Sequence, residues 1–171
     1  MHTILTSTRI RVVFVALMVA LAAGLLAGCT PQNASHENQA KNRQYMSSVN
    51  TIMETFNSGM DDFATAVKDG EVLSLTAQLS VVSTAVDSLK ALDVPQDMTD
   101  IQASYVKGAE ELQTALTKYV ELYQDVKVPQ NGSFDYATYN DRLAEIQKHY
   151  SDGVAALQDA DTKATEAERE A

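Results

Sequence analysis

From Tyr45 onward the large apolar residues return every three or four positions. Tyr45, Val49, Ile52, Phe56, Met60, Phe63 and Val67 follow one another in steps of 4, 3, 4, 4, 3 and 4. That is one face of an α-helix. Lys68-Asp69-Gly70 closes the run, with Gly70 placed as the C-terminal cap. A second stripe carries Val72, Leu75, Leu79, Val82, Val86 and Leu89, extended by Leu92 and ended by Asp93-Val94-Pro95. The third carries Met98, Ile101, Tyr105, Gly108, Leu112, Ala115, Tyr119, Leu122 and Val126. The segment Val128-Pro129-Gln130-Asn131-Gly132 has turn composition, and Ser133 or Asp135 is placed to cap the fourth helix. The fourth stripe carries Tyr136, Tyr139, Leu143, Ile146, Tyr150, Gly153 and Leu157.

No segment alternates with period two, so no strand is expected. Four helices joined by short loops predict an all-α fold, an antiparallel up-down-up-down four-helix bundle. A long helical hairpin pair is the alternative. The alternating steps of 3 and 4 favour left-handed packing at about 20°. Leu73 and Val81 fall off the main stripe of the second helix, where they either widen its buried face or pair two bundles. After Ala160 the chain is rich in Ala, Asp, Glu, Thr, Lys and Arg, and residues 161–171 read as a solvated helical end or tail.

The first 28 residues differ in kind. Arg9 and Arg11 precede an uninterrupted apolar segment of 15 residues, 12–26, and no acidic residue stands before Cys29. The segment is short of the roughly 20 residues that a spanning helix needs. It ends in Leu26-Ala27-Gly28-Cys29, and Cys29 is the only cysteine in the chain. This run resembles the lipobox of bacterial lipoprotein signal peptides. The resemblance implies that Cys29 receives a diacylglycerol, that residues 1–28 are removed, and that the protein is held on the extracytoplasmic side of the cell membrane. The outer membrane of a two-membrane bacterium is the alternative. Residues 29–37 then form the lipidated cysteine and a flexible tether, 38–160 the bundle and 161–171 the tail. Two acyl chains hold a protein stably where one is marginal. With the thiol consumed, no disulfide is available and the fold rests on its apolar core.

Removing the signal takes two of the 13 basic residues and none of the 23 acidic ones, leaving 11 against 23 and a formal charge of −12. No basic block offsets it, which argues against nucleic acid and against docking flat on anionic lipid. The acidic residues are scattered along helix faces, as expected of a soluble, self-repelling surface.

Catalytic and metal signatures are missing from the sequence. Of three histidines only His149 lies in the bundle region, and no Glu-x-x-His occurs. Structural zinc and bundle di-iron sites need more ligands than that. His149 adjoins the Tyr150 stripe position and reads as a boundary residue. No Gly-x-Ser-x-Gly and no glycine-rich phosphate loop is present. Asp61-Asp62 and Glu110-Glu111 are adjacent, so on a helix each pair diverges by about 100° and forms no acid–base couple unaided. No catalytic residue, metal or cofactor is expected, and the chain reads as a non-enzyme.

Two features point toward a site. Six of the seven tyrosines fall on stripes, and Tyr123 adjoins one. Gly108 and Gly153 lie 18 residues before and 17 after the third loop's edges, so antiparallel packing brings them to one height. Counting back puts Val82, Phe56 and Gly59 at the same level. Glycine inside a helix costs about 1 kcal/mol against alanine. Either two backbones approach closely there, or Phe56, Gly59, Val82, Tyr105, Gly108, Tyr150 and Gly153 line a small apolar pocket rimmed by tyrosine hydroxyls.

Residues 89–123, with Leu-x-x-Leu-x-Val-Pro and a tyrosine-bearing third helix, resemble uncharacterised helical envelope lipoproteins of Gram-positive bacteria. Such families bring no activity to carry over. The expectation is a non-enzymatic interaction module, tethered to the membrane through Cys29, with an envelope protein or wall component as partner. The alternative is a carrier or sensor of a small apolar or amphipathic ligand held between the helices.

Overall fold

The computed structural model describes residues 36–70, 72–127 and 133–170. The apolar N-terminal segment expected to be a signal, Cys29 and the residues up to 35 lie outside the described part. Four helices account for nearly all of it: α1 (His36–Asp69), α2 (Val72–Ala91), α3 (Thr99–Lys127) and α4 (Tyr139–Glu170). No strand is present among the described residues. The molecule is an all-α four-helix bundle.

The sequence explains where the helices stop. Gly70 adopts φ 77°, and its N–H donates to the Val67 carbonyl at 3.3 Å. This left-handed position is available to glycine without a Cβ clash. Pro95 (φ −57°, ψ 143°) cannot continue α2. Instead it opens a short 3-10 turn, Gln96–Met98, with Met98 N–H on the Pro95 carbonyl at 2.9 Å. Gln102 on α3 reaches back to the Leu89 carbonyl at 3.3 Å, which also accepts from the Leu92 N–H at 3.4 Å at the end of α2. Asp135, one of the two expected caps, accepts from the Ala137 N–H at 2.9 Å and starts the 3-10 turn that precedes α4.

Successive helices run antiparallel. Gly59 on α1 lies against Val81 and Val82 on α2. Ser83 on α2 accepts from Gln113 on α3 at 2.8 Å. Along α3 and α4 the pairs Ser104–Asp159, Glu111–His149, Lys118–Glu145 and Asp125–Arg142 rise on one helix as they fall on the other. The start of α1, the α2–α3 turn and the end of α4 therefore share one end of the bundle. Gly70 and the segment before α4 share the other, where the Tyr123 hydroxyl donates to the Gly70 carbonyl at 3.4 Å.

The stripes form the core. Val49, Phe56, Phe63, Leu75, Val82, Val86, Leu89, Leu112, Leu116 and Ile146 are fully buried. Phe63 meets Tyr119 edge-on at 5.8 Å between ring centroids, joining α1 to α3. One expectation needs correction. Tyr136 is 68% exposed, because the 3-10 turn carries it outside the bundle before α4 begins. Beyond Ala160 α4 continues to Glu170, and Ala164 and Ala167 pack against the core. Alanine is small enough to let the helix end lie close, so no large apolar residue is needed.

Candidate functional site

The glycine level is the first place to look for a ligand, and it is filled. A Cβ on Gly108 would stand 2.7 Å from Leu157 Cγ and 2.9 Å from the Leu157 backbone nitrogen. A Cβ on Gly153 would stand 2.7 Å from Leu112 Cγ and 2.9 Å from the Gly108 carbonyl oxygen. Gly108 and Gly153 do sit at one height, as counted across the loop. They do so because α3 and α4 touch backbone to backbone, with Leu112 and Leu157 closing over them. Of the two readings for this level, close backbone approach is the one the structure holds, and no pocket opens between the two glycines. Phe56, Tyr105 and Tyr150 are buried within the same core. Gly59 is also a contact point: an added Cβ would meet Val82 Cγ2 at 3.1 Å. Because Ser83 pairs with Gln113, the Gly59–Val82 contact meets α3 nearer Gln113 than Gly108.

The tyrosines divide by surroundings. Burial pushes the hydroxyls of Tyr45 and Tyr150 up to about 12. Tyr105 is raised further, first by burial and then by Asp161, to which its hydroxyl donates at 2.7 Å. The Tyr45 hydroxyl finds no hydrogen-bond partner among the described residues. These groups stay neutral at physiological pH and hold position; they are not poised as acids.

The chemistry-bearing surface is the seam between α3 and α4. Ser104, Glu111, Lys118 and Asp125 repeat every seven residues on α3, and each meets α4. Such a ladder sits where the flanking positions of a heptad face the partner helix. At one rung the Ser104 hydroxyl, 8% exposed, donates to Asp159 at 2.8 Å and accepts from Lys163 at 2.9 Å. Lys163 also pairs with Asp159 at 2.6 Å. The Asp159 carboxyl is held below its usual range by Lys163 first and Ser104 second. At the next rung His149 Nδ1 lies 2.6 Å from Glu111 Oε2, placing His149 at a helix boundary as its sequence position suggests. Lys118 holds Glu145 below its usual range at 2.9 Å.

Beside these rungs runs an open groove of about 650 Å³, floored by Ala103, Ala155 and Ala156 and edged by Asp100, Lys107 and Asp152. Most of its charges are already spent on ion pairs. Among the described residues no group of three or more His, Cys, Asp or Glu stands ready to hold a metal. None of their helices is long and apolar enough to cross a membrane.

The adjacent pair Glu110-Glu111 shows why sequence alone misses such a ladder. Glu110 turns to Lys90 on α2, and Glu111 turns to His149 on α4. The i,i+4 pair Asp159–Lys163 was legible; Ser104 joining it needed the register of α3 against α4.

No protein-family model, curated protein or solved structure matches this chain.

Proposed function

We propose that this protein is an envelope lipoprotein whose helical bundle serves as a non-enzymatic interaction module, held at the extracytoplasmic face of the membrane by lipid on Cys29. The observation that carries the reading is the spacing between Leu26-Ala27-Gly28-Cys29 and the start of α1 at His36. Seven residue steps span at most about 25 Å. A lipid on Cys29 therefore keeps the α1 end of the bundle beside the membrane and directs the Gly70 end outward. The closed glycine level and the paired charges of the α3–α4 seam support a working surface rather than an internal binding chamber. The excess of acidic over basic residues favours a partner that is neutral or basic.

The test is incorporation of a clickable fatty acid in a bacterial host. The wild-type chain should take up the label and fractionate with membranes, and Cys29→Ser should do neither. Equal labelling of the two chains would sink the anchor. Crosslinking of the lipidated protein in its membrane then addresses the partner. The carrier reading would act at the open α3–α4 groove, and native mass spectrometry showing a bound small molecule would favour it.

A further inference from the structure

The bundle is least tightly closed between its first and last helices. Backbones approach closely from α1 to α2, from α2 to α3 and above all from α3 to α4, while α1 and α4 stand further apart. Long side chains occupy the space between them: Tyr45 on α1, Tyr105 on α3 and Tyr150 on α4 are all buried. At the end where α1 begins and α4 finishes, this filling is polar.

Tyr45 is 4% exposed, and its hydroxyl meets no hydrogen-bond partner among the described residues. Three residues earlier, on the same face of α1, the Asn42 side-chain oxygen is buried and equally unmet. The Tyr105 hydroxyl spends its proton on Asp161 at 2.7 Å, which leaves lone pairs on its oxygen. Tyr105 is raised by burial first and then by Asp161, Tyr45 and Glu168, so all three lie within electrostatic reach of it. The groups are one-sided in kind: two phenol oxygens, an amide oxygen and a carboxylate can all accept. Elsewhere on α4, Glu145, Asp152 and Asp159 each hold a lysine. Asp161, partly buried, holds only the Tyr105 hydroxyl among the described residues. Leaving buried acceptors unmet beside an uncompensated carboxylate is costly.

We propose that the Asn42 side-chain oxygen, the Tyr45 and Tyr105 hydroxyl oxygens and the Asp161 carboxylate hold a monovalent cation, an alkali-metal or ammonium ion, between α1 and α4. The oxygen-only set decides against zinc and copper, which favour nitrogen and sulfur. Charge and number decide against the divalent ions. Calcium takes six to eight oxygens and magnesium a near-ideal octahedron. One carboxylate with three neutral oxygens balances a single positive charge, and Glu168 adds negative potential at longer range. A water molecule would meet the unpartnered oxygens but leave the Asp161 charge uncompensated. The ion would also tie α1 to α4 where their backbones do not touch, so its binding is read as stability.

The test is the melting temperature of the full chain at one ionic strength in potassium chloride, ammonium chloride or tetramethylammonium chloride, the last cation being too bulky for the site. Potassium or ammonium should raise the wild-type value by about 3 °C over tetramethylammonium. Asn42→Ala and Tyr45→Phe should lose at least half of that rise. In tetramethylammonium both should match or exceed wild type, because each then removes only an unmet group. Asp62→Asn, at an exposed carboxylate elsewhere on α1, should keep the whole rise, which separates a site from an acidic surface. Equal melting of wild type in all three salts overturns the proposal, and so does a rise that Asn42→Ala and Tyr45→Phe retain. Variants well below wild type in tetramethylammonium also overturn it, since a partner such as water would then already satisfy these oxygens.

Discussion

The carbonyl oxygen of Gly108 lies 2.9 Å from where a Cβ on Gly153 would stand, so the two helices meet backbone to backbone. Two glycines on different helices share one function, which is to have no side chain at the same height. The atoms that a new methyl would strike include the Gly108 oxygen and the Leu112 and Leu157 nitrogens, none of which can rotate aside.

Gly153→Ala and Gly108→Ala should both destabilise the bundle. Alanine gains about 1 kcal/mol of helix propensity. Overpacking against fixed backbone costs about 1–3 kcal/mol, and separation of α3 from α4 adds to it. A net loss of about 1–2 kcal/mol is expected in urea unfolding. Gly59→Ala makes the contrast, because its obstacles are valine methyls at 3.1 and 3.2 Å and Val81 is open to solvent. It should be neutral or stabilising. A stabilised Gly153→Ala would mean that the helices are not in contact there.

Tyr45 and Tyr105 should respond oppositely to loss of the hydroxyl. Tyr105→Phe removes the hydrogen bond to Asp161 and should cost about 1 kcal/mol. Tyr45→Phe removes a buried hydroxyl that has no partner among the described residues, and stability should hold or rise. Denaturation midpoints of the two variants decide it; a large loss at Tyr45 would reveal a partner such as ordered water.

Acid should weaken α4 and its contact with α3. Asp159, Asp152 and Glu145 are held below their ordinary values by Lys163, Lys148 and Lys118 respectively. A carboxyl depressed in the folded state stabilises it above the unfolded value, 3.8 for Asp, and that contribution disappears as pH falls through the folded value. The melting temperature should hold near neutrality and decline below about pH 4. Asp159→Asn should decline less steeply over that window. These groups are exposed, so added salt should flatten the slope. A slope identical in wild type and Asp159→Asn would show that this pair contributes nothing.

Base acts through the buried tyrosines. Tyr45 and Tyr150 ionise at about 12 in the fold, against 10.0 ordinarily. The fold keeps their protonated form, so their contribution is intact below pH 10.0 and is lost as pH rises toward 12. Part of the phenolate absorbance should therefore appear only together with loss of the helical circular dichroism signal. Complete ionisation while the helices persist would place these hydroxyls in water.

The sequence by itself determined the helices and their inward faces. Steps of three and four leave one face apolar, and burying that face against others is what four short-looped helices can do. Gly70 and Pro95 fixed two of the ends, because one tolerates a left-handed backbone and the other has no N–H to continue a helix. Nearly equal counts across the α3–α4 loop even placed Gly108 and Gly153 at one height. Tertiary structure decided what that height contains. Periodicity records which residues point inward but not how far apart the axes lie, and a missing side chain serves a cavity or a close contact equally well. It also decided that Tyr136, on a stripe by count, is thrown outward by a 3-10 turn, and that the polar end of α4 is kept helical by alanines. The same holds for charge. Along one helix Glu110 and Glu111 are simply neighbours; only the rotation of α3 about its own axis gives one to Lys90 and the other to His149.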